Sequence, residues 1–328
     1  QGTQVLERIE RHIGFRKIEV KGSQVYVNGV VAKFAGACHH EVDPLQGRAG
    51  TARYAVKDVE LMKEANLNYI RTSHYPPTKE LVDAADRVGM YLEVEAPFCW
   101  VAPTEDIEHL GEILTPTTAM VDYYNSHPSV IVWSIANESH LNEAFVISEK
   151  LVSDLDPSRL TTFNHPFSKE GNERWFDLSN RHYVGMPYDD VLPDDPHPLI
   201  FGEYNFAICH EQTDVMINPG LRELWGHGQA DPDSPYAREC GESYTLPPLK
   251  PGTAPGSWSS IEHSGRVTGG VIWAAFDDSF YFPDGTHAGY SWHHGFWGLI
   301  DAWRRPKPEW WLSKMVYSPV WFTARQVA

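Results

Sequence analysis

The sequence predicts an α/β protein that folds as a (β/α)8 TIM barrel, preceded by a short β-hairpin and carrying a long insertion between strands seven and eight. The chain has 328 residues, which exceeds a typical single domain but suits one closed barrel with insertions. Strand-like and helix-like segments alternate along it. Residues 130–136 are almost uniformly apolar, which is typical of a parallel strand buried on both faces. We find no glycine-rich fingerprint of the kind that marks an open doubly wound sheet.

The first predicted element is a β-hairpin between residues 14 and 29. Apolar and polar residues alternate around a Lys-Gly pair, and the run ends in Asn28-Gly29, a pair favoured in tight turns. We therefore divide the chain into an N-terminal segment with the hairpin at 1–30 and the barrel at 31–328.

The alternation of strands and helices continues to the end of the chain. The predicted strands lie at residues 33–38, 68–72, 90–95, 130–136, 160–164, 176–183, 199–204 and 270–276, and the predicted helices at 54–66, 79–88, 116–124, 142–155 and 310–317. Between residues 205 and 268 the chain is rich in Pro, Gly and Asp. An insertion at this position lies on the functional face of a barrel, so we expect it to wall the binding pocket.

The composition narrows the range of partners. The chain holds 27 basic and 44 acidic residues, for a net charge of −17, which disfavours nucleic acid and anionic membranes as partners. No stretch approaches the roughly 18 uninterrupted apolar residues of a membrane-spanning helix. The 12 Trp, 15 Tyr and 14 Phe supply flat apolar faces that stack on sugar rings. We therefore expect a carbohydrate substrate, no nucleic-acid partner and no membrane partner.

Cysteine usage and the first residue bear on the wider protein. The four cysteines form no C-x-x-C pair, so we expect neither a disulfide framework nor a zinc motif. The chain begins at Gln1 with no basic-then-apolar leader, and we interpret it as a segment of a longer protein. We expect the protein to be cytoplasmic, and the alternative is a secreted or periplasmic protein.

Polar and acidic side chains stand at or just past the ends of the predicted strands. In a barrel these ends share one rim, so the side chains converge on one pocket. The residues concerned include Arg71, His74, Glu95, Asn137, Glu138, His182, Tyr183, Glu203 and Trp273. The candidate site is therefore at this rim.

Glu138 and Glu203 are the most informative of these residues. Each ends an apolar strand, where a buried charge is costly unless it has a partner or a task. Two carboxylates about 5 to 5.5 Å apart across a barrel mouth have the geometry of retaining glycoside hydrolysis. Two alternatives stay open. The pair could form structural salt bridges, or the barrel could bind sugar without catalysis, its carboxylates only accepting hydrogen bonds.

Eight segments in order carry a resemblance to a known family. They are IGFRKIEV, VYVNG, YIRTSHYP, DRVGMYLEVEAP, SHPSVIVWSIANES, PLIFGEY, GGVIWAAFDD and RRPKPEWW. Together they resemble the catalytic barrel of glycoside hydrolase family 2, which includes β-galactosidases, β-glucuronidases and β-mannosidases. The resemblance implies a retaining, exo-acting β-glycoside hydrolase that cleaves terminal β-linked sugars by double displacement. A β-galactosidase is the first expectation. The alternatives are a β-glucuronidase or another β-glycosidase of the family, and transglycosylation by the same two acids.

The resemblance also implies roles for individual residues. Glu138 matches the general acid/base and Glu203 the nucleophile. The substrate-binding and supporting residues that it implies are Asn137 at the sugar 2-hydroxyl, Arg71 and Tyr183 beside the nucleophile, His74 on the sugar, Trp273 under the sugar and Glu95 as a supporting acid. Tyr188 competes with Tyr183 for its role, and a cis peptide often follows the tryptophan in such barrels.

The implied mechanism makes a prediction about Glu138. We expect the pKa of Glu138 to lie above the ordinary value of about 4.3, because limited solvation and the negative charge of Glu203 both oppose its ionisation. Arg71 and the hydroxyl of Tyr183 should keep Glu203 ionised. When Glu203 becomes a glycosyl ester its charge disappears, and Glu138 can then act as a base.

The chain departs from the family pattern at several positions. Residues 97–100 are Pro-Phe-Cys-Trp where many β-galactosidases place Mg²⁺ ligands, so we predict no metal and no cofactor. The run Glu203-Tyr204-Asn205-Phe206 lacks the histidine that often follows the nucleophile in β-galactosidases, and the Asn-x-Lys element that recognises a uronic carboxylate is missing. The resemblance further implies flanking β-sandwich domains in a longer chain, and leaves a homo-oligomer open.

Overall fold

The computed structural model describes residues 6–320 except 9, 11–12, 103–108, 168–174, 185–190, 207–256, 279, 282–283, 285–286 and 289–296. Its main feature is a nearly closed barrel of eight parallel strands, which confirms the predicted TIM barrel. Tyr188 and most of the predicted insertion at 205–268 lie outside the described residues. Among the described helices, none combines the length and apolarity needed to cross a bilayer.

A three-stranded antiparallel sheet precedes the barrel. It consists of β1 (Ile18–Lys21), β2 (Gln24–Val27) and β3 (Val30–Val31). Both of its turns use left-handed backbone, with φ of 60° at Gly22, 52° at Asn28 and 80° at Gly29, which glycine and asparagine adopt at little cost. The predicted hairpin is thus confirmed and a short third strand extends it. The division of the chain at residue 30 stays a prediction.

The barrel strands follow in chain order. They are β4 (Phe34–Cys38), β5 (Tyr69–Arg71), β6 (Tyr91–Glu95), β7 (Val130–Asn137), β8 (Leu160–Asn164), β9 (Ser179–His182), β10 (Leu199–Phe206) and β11 (Val267–Trp273). Hydrogen bonds join them in the order β8, β7, β6, β5, β4, β11, β10, β9. An isolated bridge joins Thr162 of β8 to Leu178, the residue before β9. Beyond β11, the short strands β12 (Phe280–Tyr281) and β13 (His287–Ala288) pair with each other.

Helices surround the barrel. They are α1 (Ala55–Glu64), α2 (Lys79–Val88), α3 (Leu110–Tyr124), α4 (Glu143–Leu155), α5 (Ser257–His263) and α6 (Pro308–Val316). On α2 the buried residues Leu81, Val82 and Ala85 form one apolar stripe. The helix ends at Gly89, whose φ of 72° is the usual left-handed stop.

The small sheet covers the N-terminal end of the barrel. Val25 of β2 is fully buried in the same apolar cluster as Phe34 at the start of β4. The Arg16 guanidinium donates to the carbonyl of Val130, at the start of β7, over 2.8 Å. The opposite end, where the strands finish, is therefore left for a functional site.

The predicted start of the third helix is wrong. The predicted helix begins at Pro116, a residue that is tolerated in the first turn of a helix. The helix begins at Leu110 instead, and Pro116 lies inside it. The turn before the proline buries Ile113, and the Thr117 hydroxyl donates to the Ile113 carbonyl over 2.8 Å. Packing of this turn therefore outweighs the cost of an internal proline.

Two predicted strand starts are also wrong. β11 begins at Val267, because its glycines lie inside the strand: a Cβ on Gly269 would be 2.4 Å from the Phe34 carbonyl oxygen of the neighbouring strand. β9 begins at Ser179 rather than at residue 176. At residue 177 the backbone N–H of Thr161 donates to the Asp177 side chain over 2.9 Å and not to a backbone carbonyl of the neighbouring strand, so regular strand pairing has not yet begun.

Candidate active site

The strand ends bring the candidate residues to one rim. Six residues of this rim are the last residues of barrel strands: Arg71, Glu95, Asn137, Asn164, His182 and Trp273. Glu138 directly follows β7, and Glu203 lies in β10. Parallel strands of a barrel finish at the same end, so these side chains share one site.

Glu138 and Glu203 come close together there. An oxygen of Glu138 and an oxygen of Glu203 lie within 4.8 Å of each other. Retaining glycosidases hold their two carboxyl groups about 5 to 5.5 Å apart, whereas inverting ones leave about 6.5 to 9.5 Å for a water molecule. The backbone of Glu138 is left-handed, with φ of 37°, which is uncommon outside glycine and is concentrated at functional sites. The spacing suits direct attack by a carboxylate on a carbon between the two.

Both oxygens of Glu203 accept hydrogen bonds. Arg71 Nη1 donates to Oε1 over 2.9 Å, and the Tyr183 hydroxyl donates to Oε2 over 2.7 Å. Gly202 lets the strand pass beside this network, since a Cβ there would be 2.0 Å from Oδ1 of Asn164. These donors fix the direction in which Glu203 points.

Arg71 connects four of the predicted residues. Its fully buried guanidinium donates to both oxygens of Glu95, from Nε over 2.9 Å and from Nη2 over 3.0 Å. Nη2 also donates to Oδ1 of Asn137 over 2.6 Å and lies 3.1 Å from Nδ1 of His74. Burial raises the pKa of Glu95, but the charge of Arg71 and the contact with His74 outweigh it, so that this pKa lies below its ordinary value.

The substitution Arg71→Met should strongly destabilise the protein, because it leaves Glu95 and Glu203 buried without their cation. We expect the free energy of unfolding in urea at pH 7 to fall by about 3–5 kcal/mol. The pKa of Glu95 is depressed in the folded state, so its pairing stabilises the protein above about pH 4.3 and this contribution is lost as the pH falls. The difference in unfolding free energy between the variant and the wild type should therefore become smaller at acidic pH. The control Arg87→Met, on the exposed side of α2, should change stability by less than about 0.5 kcal/mol. Equal unfolding free energies of Arg71→Met and the wild type at pH 7 would contradict this role of Arg71.

Glu138 accepts hydrogen bonds from two residues for which no individual role was predicted. His182 Nδ1 lies 2.7 Å from Oε1, and Trp100 Nε1 donates to Oε2 over 2.9 Å. Burial raises the pKa of Glu138, but these hydrogen bonds and the charges of His182 and His165 lower it to about 2. The predicted rise in this pKa is therefore wrong for this structure. The sequence reveals the burial and the nearby Glu203, but not the two donors.

His74 and Trp273 stack face to face, with ring centroids 5.3 Å apart and planes inclined by 12°. His40 contacts both rings edge-on, at 5.4 Å. A cis peptide joins Trp273 to Ala274, as the resemblance implied. The indole is only 7% exposed, and its role under a sugar stays a prediction. All eight predicted site residues thus lie in one cluster, while their individual roles stay predictions.

Three residues without a predicted individual role also belong to this site: His182, Asn164 and Trp100. The first two end β9 and β8, and strand-end position is the sequence signal that places them at this rim. Trp100 lies in the loop after β6, where no sequence signal points to its contact with Glu138. Its side chain is among the most exposed of the described aromatic residues, at 73%.

Two groups of described side chains bring together atoms that could bind a metal ion. They are Glu138, His182 and Glu203 at the rim, and Asp83, Asp86 and His127 elsewhere. In each group a histidine Nδ1 lies within 2.7 Å of a carboxylate oxygen, which is a direct hydrogen bond. Two ligands of a tetrahedral zinc ion would stand farther apart, at about 3.3 Å. We interpret both groups as hydrogen-bonded pairs, and the absence of a metal stays a prediction.

Similarity to known proteins supports a family assignment. Residues 18–223 match the profile described as glycosyl hydrolases family 2, TIM barrel domain. The β-galactosidase BgaC of Bifidobacterium adolescentis is 32% identical over 298 residues, covering 86% of this chain and 26% of that protein. A β-galactosidase of Halalkalibacterium halodurans is 29% identical over 221 residues, covering 62% of this chain and 22% of that protein. The chain thus spans about a quarter of the length of these relatives.

Solved structures share the fold. The β-glucuronidase of Bifidobacterium dentium has a TM-score of 0.71 at 20% identity, over 94% of this chain and 50% of that one. The family 2 β-galacturonidase of Eisenbergiella tayi has a TM-score of 0.70 at 20% identity, over 93% of this chain and 54% of that one. At these identities the likeness shows the fold alone, but the family profile matches more than half of the chain. The chain therefore belongs to glycosyl hydrolases family 2 and contains the TIM barrel domain of that family.

Proposed function

We propose that this chain carries the catalytic barrel of a retaining, exo-acting β-glycoside hydrolase, which cleaves terminal β-linked sugars by double displacement. The observation that carries the proposal is the pair of carboxyl oxygens, from Glu138 and Glu203, within 4.8 Å of each other. Their surroundings differ. Arg71 and Tyr183 hold both oxygens of Glu203, whereas the side chain of Glu138 is more exposed and contacts a histidine. Glu203 suits a fixed nucleophile and Glu138 a group that exchanges protons.

In the first half-reaction, Glu203 attacks the anomeric carbon while the bond from that carbon to the leaving oxygen breaks. The leaving oxygen keeps the bonding electrons and takes a proton through Glu138. Arg71 holds Glu203 in line, and it also fixes Asn137, our proposed contact for the sugar 2-hydroxyl.

In the second half-reaction, water attacks the same carbon and the ester bond to Glu203 breaks. Glu138 removes the proton from the attacking water, so one residue serves as acid and then as base. Two inversions at the anomeric carbon give overall retention.

We propose a β-galactoside as the first candidate substrate, because the curated relatives described above are β-galactosidases. A β-uronide is the second candidate, since the structural neighbours include a β-glucuronidase and a β-galacturonidase.

A panel of aryl β-glycosides tests this function on the full-length protein. We expect hydrolysis of the galactoside in preference to the glucuronide, mannoside, glucoside and fucoside, with the β-anomer of the sugar released first, as observed by proton NMR before mutarotation. Initial release of the α-anomer would contradict the retaining mechanism. Binding without turnover of any member would favour a non-catalytic sugar-binding barrel.

A further inference from the structure

His182 lies between the two candidate catalytic carboxylates. Its Nδ1 is 2.7 Å from Oε1 of Glu138 and 3.6 Å from Oε1 of Glu203. The side chain is 1% exposed, so water contributes little to its surroundings. Among the described residues, the contacts of this nitrogen within 3.6 Å are carboxylate oxygens, so it must carry a proton to bond with Glu138.

The other ring nitrogen of His182 also faces an acceptor. Nε2 lies 3.4 Å from Oδ1 of Asn164. The orientation of the Asn164 amide is fixed, because its Nδ2 donates to Glu93 over 2.5 Å and to Glu95 over 2.9 Å. The amide oxygen must then point towards His182. An imidazole ring with acceptors at both nitrogens suits the doubly protonated, positively charged form.

The neighbouring histidine has the opposite arrangement. His165 stacks on His182, with ring centroids 5.1 Å apart and planes inclined by 17°. Its Nδ1 accepts the backbone N–H of His182 over 3.1 Å, so that nitrogen is unprotonated. Burial and the charge of His182 lower the pKa of His165 to about 4. The two stacked rings therefore differ: His165 presents an unprotonated Nδ1 to a donor, whereas both ring nitrogens of His182 face acceptors.

We propose that His182 is a positioning residue that stores, as an imidazolium, the proton which Glu138 delivers to the leaving group. This inference rests on the proposed function and specifies where its acid proton resides before the reaction. The resting site then contains ionised Glu138, ionised Glu203 and positive His182.

The proton balance follows from these charges. In the first half-reaction the proton leaves His182 Nδ1, passes through Glu138 to the leaving oxygen as the glycosidic bond breaks, and leaves His182 neutral. Glu203 loses its charge as the ester forms. In the second half-reaction the proton of the attacking water returns through Glu138 to His182, and breaking the ester restores the carboxylate of Glu203. No other acid or base is required.

Several other groups set the field around His182. The titratable and charged side chains that face it or interact with its neighbours are Glu138, His165, Arg181, Tyr183 and Glu203, with Arg71, Glu93 and Glu95 in the adjoining network. Two of these groups, Glu138 and Glu203, are carboxylates within 3.6 Å of Nδ1, which favours a proton on that nitrogen.

The pH dependence of the variant His182→Asn tests this proposal. Asparagine can still donate to Glu138 but cannot store a proton, so the acid proton must reside on a lone carboxyl group. Reference pKa values are about 6.5 for histidine and about 4.3 for glutamate. We therefore expect the alkaline limb of kcat/KM to move to lower pH by at least about one unit. His127→Asn is the matched control. His127 also contacts a carboxylate, that of Asp86, over 2.6 Å at the opposite end of the barrel, and its variant should keep the wild-type profile.

A second measurement needs neither turnover nor a variant that folds. In wild-type protein labelled with ¹⁵N-histidine at pH 7, both ring nitrogens of His182 should give the shifts of protonated nitrogens, although an ordinary histidine is mostly neutral at that pH. A neutral His182 ring, or an alkaline limb that stays in place in His182→Asn, would overturn the proposal. Failure of the wild type to hydrolyse any β-glycoside would instead reject the proposed function, and the NMR spectrum would still report the state of His182.

Discussion

Replacing Glu203 by glutamine is expected to abolish turnover while leaving sugar binding largely intact. The amide has the shape of the carboxylate, and its oxygen can still accept from Arg71, but it cannot form a glycosyl ester. We expect kcat to fall by at least about 10⁴-fold. The Kd of the released sugar, measured by calorimetry, should change by less than about tenfold, because binding does not require the nucleophile to react.

The chain offers a matched control for this substitution. Glu149 on α4 is also partly buried and accepts hydrogen bonds from Ser153 and Thr161, but it lies outside the rim. Glu149→Gln should therefore retain activity within about twofold of wild type. Hydrolysis by Glu203→Gln at a comparable rate would exclude Glu203 as the nucleophile.

The second large effect is expected from Glu138→Ala, and it should depend on the leaving group. A poor leaving group needs a proton as its bond breaks, so its kcat/KM should fall by about 10²- to 10⁴-fold. An activated aryl group leaves without protonation, so the rate of the first half-reaction should fall much less with such a substrate. A series of aryl β-glycosides of graded phenol acidity measures this difference.

Equal losses along the whole series would show that Glu138 is not the acid. The control is Glu143→Ala. Glu143 is an exposed residue in the first turn of α4, and its replacement should leave kcat/KM unchanged for every member of the series.

The fold was predictable because each element carries a local signal. The apolar run of β7 and the amphipathic stripe of α2 can be recognised from residue periodicity alone. The element boundaries at Pro116 and Gly269 could not be predicted in this way. The helix start before Pro116 depends on the packing of the preceding turn, and the strand start before Gly269 depends on the neighbouring strand at Phe34. Local sequence patterns contain neither kind of information.

The site was predictable to the level of residue positions but not of their charges. Glu138 and Glu203 follow from the rule that barrel sites lie at strand ends. The pKa of Glu138 depends instead on a 2.7 Å contact with His182 and a 2.9 Å contact with Trp100, which lie 44 and 38 residues away. Such contacts are fixed by tertiary structure, and they reversed the direction expected from burial.

Trapping of the covalent intermediate tests the central claim most directly, namely that Glu203 attacks the anomeric carbon. A 2-deoxy-2-fluoro β-glycoside with an activated leaving group, made from the sugar that the panel identifies, should form the ester but hydrolyse slowly. We expect peptide mass spectrometry to find one fluoroglycosyl group on the peptide containing Glu203. A label on any other residue, or no label on an enzyme that hydrolyses the parent glycoside, would contradict the account.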